Sequence, residues 1–366
     1  KYAFVSRNEI ICSYTQNGLW YLASLNTDSK KFTPIELPYT DIFNVRSGNG
    51  FAIFIAGSPT QPPAIVRMDT ETLKLEIVKQ AFEVTVDKEH LSHAQPISFP
   101  TTNDKIAYAI HYAPQNKDYT APENEKPPLM VLSHGGPTGA TGTTLSYGIQ
   151  YWTSRGFAVV DVNYGGSTGY GREYRRRLNG NWGIVDVDDC CNAALYLVKE
   201  GLADPNRLVI RGGSAGGYTT LACLAFRDVF KAGASHFGIS DLEALEEDTH
   251  KFESKYSHSL IGPYPERKDL YYERSPIHFA HNINCPIILF QGDEDKIVPP
   301  NQSQAMFEAV RAREIPTAYV LFQGEQHGFR KAESIKRALE GELYFYAKIF
   351  KFDLAEEVEP VEIENL

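Results

Sequence analysis

Cysteine is scarce and unpatterned in this 366-residue chain. Cys12, Cys190, Cys191, Cys223 and Cys285 are odd in number and lack metal-ligand spacing, which argues against a disulfide framework or a zinc module and for a reducing compartment. No apolar stretch approaches the ~20 residues that span a bilayer, and no signal peptide is visible. Long basic clusters are missing as well. With 46 acidic against 36 basic residues and a formal charge of -10, the chain lacks the electrostatic footprint of a nucleic-acid binder. Arg175-Arg176-Arg177 is the one basic run and reads as a solvated or ion-paired helix face. His90 with His93, and His278 with His281, could share helix faces, yet neither pair has a third ligand nearby, so no metal site is expected. Gly165, Gly166, Gly169 and Gly171 lack the spacing and the Lys-Ser/Thr of a phosphate loop. The expectation is a cytoplasmic protein without cofactor, nucleic-acid partner or membrane contact. The chain opens at Lys1 rather than Met, so an upstream segment is compatible with it, as is a homo-oligomer.

What is present divides into two regions, as the length leads one to expect. Residues 1 to about 80 alternate apolar and polar side chains in short runs such as Phe51-Ala52-Ile53-Phe54-Ile55, broken by Gly, Asn, Asp and Pro, which is strand chemistry. The stretch LNTDSKKFTPIEL (25–37) resembles MDTETLKLEIVKQ (68–80), with Asp28 matched to Asp69 at a repeat of about 41 residues; propeller blades, each a four-stranded sheet, repeat at ~40–50. There is room for about two blades, whereas a closed ring takes ~4 to 8. A two-sheet sandwich is the competing arrangement. The proline-rich stretch HYAPQNKDYTAPENEKPPLM (111–130) reads as an extended connection and puts the boundary near residue 110. Residues 1–110 are then a partial propeller-like region and 111–366 an α/β unit. In the second part, apolar runs such as Phe157 to Val162 and Pro286 to Phe290 alternate with helix-length segments, which predicts a mostly parallel sheet with helices on both faces.

The chemistry is carried by RGGSAGGY (211–218), directly after the apolar run Leu208-Val209-Ile210. The pattern G-x-S-x-G holds a serine on a strained strand-to-helix turn. Gly212 to Gly216 fits it around Ser214, and Gly165 to Gly169 fits it equally around Ser167. The downstream residues separate the two. AGGYTTLACLAF can start a helix at once, with Leu221, Leu224 and Ala225 on one face, whereas TGYGREYRRRL offers another glycine and no immediate apolar face. The glycines around Ser214 are expected to supply backbone freedom. A serine hydroxyl needs a base to take its proton and a carboxylate to orient that base. His327, in GEQHGFR after the run TAYVLFQG, is the one histidine beyond the last two strands. The acid falls in QGDEDKIVPP, where Asp293, Glu294 and Asp295 all qualify by type. For the oxyanion, the N–H of Ala215 and that of Gly136 in the HGGP loop (134–137) are the candidate donors.

Taken together and in order, SHGGPT, NYGGSTGYG, NWGIVDVDD, RGGSAGGY, QGDEDKIVPP and GEQHGFR make residues 110 to 353 resemble the catalytic domain of the prolyl oligopeptidase family of serine peptidases, in its acylaminoacyl-peptidase and bacterial aminopeptidase branch. The resemblance implies an α/β-hydrolase fold after an incomplete all-β propeller. It selects Asp295, since the pattern G-x-x-D-x-x-V-P lands on Gly292, Asp295, Val298 and Pro299. It also supports Gly136 as an oxyanion donor, and by analogy it makes Phe252, Tyr256 and Val298 candidates for the substrate pocket. The implied activity is hydrolysis of short peptides through an acyl-enzyme on Ser214, with further propeller supplied by an upstream segment. An esterase with the same triad is the first rival. A binding protein built on the propeller, with a vestigial hydrolase domain, is the second.

Overall fold

A computed structural model describes residues 1–248 and 254–366. Two antiparallel meanders come first. β1 (Tyr2–Phe4), β2 (Glu9–Gln16), β3 (Leu19–Asn26) and β4 (Phe32–Ile35) form one four-stranded sheet, and β5 (Asp41–Gly48), β6 (Phe51–Ser58), β7 (Gln61–Asp69) and β8 (Leu75–Gln80) form another. Their inward-facing residues share one buried cluster, Ile11 and Leu22 from the first sheet with Ile42, Phe54, Val66 and Met68 from the second. Alternation along strands such as β6 and β7 thus has its usual cause, one face in a core and one outside.

The internal repeat is real but shifted. Asn26 Oδ1 accepts the backbone N–H groups of Asp28 (3.1 Å) and Ser29 (2.9 Å), and Asp69 Oδ1 accepts those of Glu71 (3.0 Å) and Thr72 (2.8 Å). Both side chains mimic a backbone turn at the same point of a hairpin. The counterpart of Asp69 is therefore Asn26 and not Asp28, because the turn needs only a side-chain carbonyl oxygen, which either residue type supplies.

The larger unit is an eight-stranded sheet built from β9 (Gln95–Thr101), β10 (Lys105–Tyr112), β11 (Leu129–Ser133), β12 (Ala158–Asn163), β13 (Leu208–Gly213), β14 (Ala232–His236), β15 (Ile287–Gly292) and β16 (Thr317–Phe322). The order is β16-β15-β14-β13-β11-β12-β10-β9, with β11 to β16 mutually parallel and β9 and β10 antiparallel at one edge. Since β10 pairs Ala109 with Val162, a boundary near residue 110 would cut a strand of this sheet, whose first residue is Gln95. The edge strand β9 alternates as blade strands do, so periodicity alone could not assign it to the larger sheet.

Helices α1 (Tyr147–Thr153), α2 (Arg172–Arg176), α3 (Val185–Lys199), α4 (Ala215–Phe226), α5 (Leu242–Asp248), α6 (Tyr256–Leu260), α7 (Lys268–Glu273), α8 (Pro300–Arg311) and α9 (Ala332–Phe350) connect these strands. Val187 of α3, Leu221 of α4 and Met306 of α8 share a core on one face, and Trp152 of α1 with Ala338 and Phe345 of α9 share a core on the other. Burial on both faces explains why β12 reads as an almost unbroken apolar run, with every residue from Ala158 to Asn163 buried. Among the described residues no helix is long and apolar enough to cross a membrane.

Candidate active site

The carboxyl ends of the parallel strands gather the candidate side chains, where open α/β sheets bind ligands. Ser214 stands between β13 and α4 with φ 57 and ψ -123, a conformation that L-residues rarely adopt. Such strain persists only where the surroundings enforce it. Here the neighbouring glycines do the enforcing, and they do so by letting backbones meet. A Cβ on Gly212 would sit 2.3 Å from Gly216 O, one on Gly216 2.0 Å from Ser133 O, and one on Gly217 2.6 Å from Gly238 Cα. None of Gly212, Gly213, Gly216 and Gly217 takes a positive φ. The expected backbone freedom is thus not what these glycines contribute; the one left-handed residue of the turn is the serine itself.

His327, in the turn after β16, bridges the other two groups. Its Nδ1 lies 2.8 Å from Asp295 Oδ2 and its Nε2 lies 2.8 Å from Ser214 Oγ. A carboxylate can only accept, so Nδ1 carries the proton and Nε2 keeps its lone pair for the serine hydroxyl. Asp295 is 4% exposed and well supplied with donors: the N–H groups of Ile297 (2.9 Å) and Val298 (3.0 Å) reach Oδ1, and Gln291 Nε2 (3.3 Å) reaches Oδ2. Asp293 instead accepts the Gly324 N–H at 2.7 Å and so ties the turn after β15 to the turn after β16. The ring of Phe237 meets the His327 ring edge-on at 5.0 Å between centroids.

Ala215 is the first residue of α4, so its N–H belongs to the unsatisfied donors of a helix N-terminus. The HGGP loop runs alongside: a Cβ on Gly135 would lie 3.1 Å from Gly213 O and 3.6 Å from Ser214 Cβ, and Gly136 takes φ 118. That loop is held by its own histidine. His134 Nδ1 donates to Gly135 O at 2.9 Å, Nε2 accepts the Ser167 hydroxyl at 2.7 Å, and the ring stacks on Tyr164 with centroids 4.3 Å apart. Burial pushes the His134 pKa down to about 4, which keeps it neutral. Tyr164 in turn donates its hydroxyl to Pro137 O at 2.8 Å.

Of the residues expected to line a substrate pocket, Tyr256 on α6 reaches the same loop, its hydroxyl donating to Gly136 O at 2.9 Å and pairing with Thr138 Oγ1 at 2.6 Å. Val298 is 1% exposed within the core on the α4 side and meets the site through its N–H to Asp295. Phe252 lies outside the described residues.

The model of the Prolyl oligopeptidase family matches residues 143–353, more than half of the chain and the stretch that holds Ser214, Asp295 and His327. The chain belongs to the prolyl oligopeptidase family. Among solved structures, a Mycobacterium tuberculosis puromycin-hydrolyzing peptidase is 42% identical and superposes with a TM-score of 0.95 over 99% of this chain and 55% of its own. A puromycin hydrolase is 37% identical, with a TM-score of 0.94 and the same two coverages. Dipeptidyl aminopeptidase BIII of Pseudoxanthomonas mexicana is 36% identical over 219 residues, 57% of this chain and 31% of that protein. This member of the family thus spans about half the length of the solved relatives and about a third of the curated one.

In this member of the prolyl oligopeptidase family, three supporting residues escape a reading of the sequence alone. Gln291 is fully buried at the end of β15, where its Nε2 reaches Asp295 and its Oε1 accepts the Ser303 hydroxyl at 2.8 Å. A glutamine closing the apolar run IILF was the available signal. His134 and Ser167 were visible as motif members, but their mutual contact spans two loops and leaves no local pattern.

Proposed function

We propose that this chain is the catalytic portion of a serine peptidase that cleaves short peptides through an acyl-enzyme. The observation that carries the reading is the continuous relay Ser214–His327–Asp295, 2.8 Å at each step, on a strained turn that opens a helix. Ser214 Oγ attacks the scissile carbonyl carbon while its proton passes to His327 Nε2. Asp295 holds the imidazole in the required tautomer and stabilises the cation that forms. The N–H groups of Ala215 and Gly136 receive the oxyanion. His327 then delivers the proton to the leaving amine nitrogen, and water repeats the sequence to release the acid and restore the serine.

Tyr256 is the described pocket residue best suited to meet substrate, since its hydroxyl sits on the loop that bears Gly136. Val298 serves by fixing Asp295. The names of the similar proteins, puromycin hydrolase and dipeptidyl aminopeptidase, support an amide substrate with a free amino end over an ester. The two four-stranded sheets support a propeller completed by further blades, and we draw the division between the two units before Gln95. Five free cysteines support a reducing, cytoplasmic setting.

The test compares an aminoacyl-anilide with the p-nitrophenyl ester of the same acyl group, using the parent protein and Ser214→Ala. The variant should lose about 10⁶-fold in kcat on the anilide. Turnover retained in the variant, or a parent that cleaves only the ester, would overturn the reading.

A further inference from the structure

Register across the large sheet places Ile110, Asp161, Leu132, Arg211, Ala234, Ile288 and Ala318 side by side on adjacent strands. Five of these are apolar, as the face under α1 and α9 requires; Asp161 and Arg211 interrupt the row on either side of Leu132. Their Cα atoms are about 10 Å apart, two strand spacings. Arg211 turns away from Asp161: its Nε lies 3.3 Å from Glu342 Oε2 and Nη2 lies 3.1 Å from His236 Nε2, while Nη1 has no hydrogen-bond partner among the described residues. Asp161 is 8% exposed; its Oδ2 accepts the Thr141 hydroxyl, and no described side chain reaches Oδ1. Burial lifts the Asp161 pKa to about 7, outweighing the opposing influence of the Thr141 hydroxyl and of Arg211.

Both side chains line a cavity of about 520 Å³, within the ~300–1,000 Å³ range of small-molecule sites. Its walls are apolar, Ile149 and Trp152 from α1 facing Ile335, Ala338 and Leu339 from α9. The floor therefore offers one guanidinium nitrogen and one carboxylate oxygen without partners, on strands two spacings apart, under a roof that suits a hydrocarbon. A small zwitterion with a carboxylate and an ammonium can satisfy both across that spacing. We propose that this cavity binds a free α-amino acid with a large apolar side chain, its carboxylate on Arg211, its ammonium on Asp161 and its side chain between α1 and α9. Gly213, one residue before Ser214, and Phe237, whose ring abuts His327, also line the cavity, so the occupant lies against the catalytic strand. A free amino acid is also what an aminopeptidase releases, so occupancy would report product to that strand. The regulatory consequence rests on the proposed reaction, whereas the binding does not.

Calorimetric titration of the purified chain with L-leucine, N-acetyl-L-leucine and L-leucinamide tests the site. L-leucine should bind saturably, and loss of either charge should weaken binding by about tenfold or more. Ala338→Phe, which fills the cavity from the α9 side, should abolish L-leucine binding, and the near-isosteric Asp161→Asn should remove the preference for L-leucine over its N-acetyl form. Absence of saturable binding up to about 10 mM, equal affinity for the three compounds, or binding unchanged in both variants would overturn the proposal. Binding of L-leucine by a parent that cleaves no anilide would sink the peptidase reading and leave the site standing.

Discussion

The buried Asp161 makes a prediction about stability that can be worked through in numbers. An ordinary aspartate titrates near 3.8, and burial holds this one at about 7, against the opposing influence of the Thr141 hydroxyl and of Arg211. Between those two values the folded protein keeps a proton that the unfolded chain has released, so stability declines as pH rises through the window and the loss is complete above about 7. At ~1.36 kcal/mol per pKa unit the full difference is roughly 4 kcal/mol, of which about 3 kcal/mol accrues between pH 5 and pH 8. Asparagine fits the same space, still accepts from Thr141 and does not titrate. Asp161→Asn should therefore gain stability over the parent progressively, by at most about 3 kcal/mol across that interval. Urea unfolding of both proteins at pH 5, 6, 7 and 8 reads this directly. Curves that stay parallel across the window would refute the reasoning, because they would mean that Asp161 is ionised and compensated in the folded state.

Two further expectations concern the turn and the loop beside it. Gly216→Ala places a Cβ 2.0 Å from Ser133 O, a backbone atom that cannot step aside, and overpacking of this kind costs about 1–3 kcal/mol or more together with most of the activity. Gly156→Ala, at φ 89 with nothing within 4 Å of the added carbon, should cost about 1–2 kcal/mol and leave turnover intact. Thermal denaturation beside anilide kinetics separates the pair, and a Gly216→Ala protein with parental turnover would refute the close-approach account. Ser167→Ala strips the hydroxyl from His134 Nε2 and leaves a buried acceptor unpaired, a penalty of about 1–3 kcal/mol. We expect kcat to fall about tenfold or more while a fluorophosphonate still labels Ser214; unchanged kcat would show that the HGGP loop holds its position without that bond.

The alternation of apolar runs with helix-length segments was enough to announce a parallel sheet, because strands buried on both faces have nowhere to put polar side chains. The edge strand β9 escaped that logic, and β10 went with it. With one neighbour and a half-exposed face, Ile97 and Phe99 alternate with polar or exposed positions just as residues of the blades do, and only pairing in space assigns them. At the candidate site, the meeting of Ser214 and His327 was legible because the proposed nucleophile needs a turn before a helix and the proposed base needs the last strand. Asp293 and Asp295 were inseparable by type; what separates them is the direction of a tight turn in which Ile297 and Val298 point their N–H groups back at Asp295. The row of Asp161 and Arg211 left no trace in one dimension, since their juxtaposition depends on the register of β11 between β12 and β13.

The chain holds two serine–histidine contacts of almost the same length, Ser214 to His327 at 2.8 Å and Ser167 to His134 at 2.7 Å, each within a G-x-S-x-G motif. Distance and motif therefore do not make a nucleophile. In the second pair the histidine gives its Nδ1 proton to a backbone carbonyl, which cannot carry the charge that would stabilise an imidazolium, and burial drives its pKa to about 4. Its serine has no exposed surface for a substrate to reach. In the first pair the Nδ1 proton goes to a carboxylate that itself holds two backbone N–H groups, and the serine caps a helix whose first donors face the same space. Reactivity is thus decided by the third group and by access. In the proposed mechanism the same two contacts divide the labour: one would move a proton, and the other would fix the loop that meets the charge this movement creates.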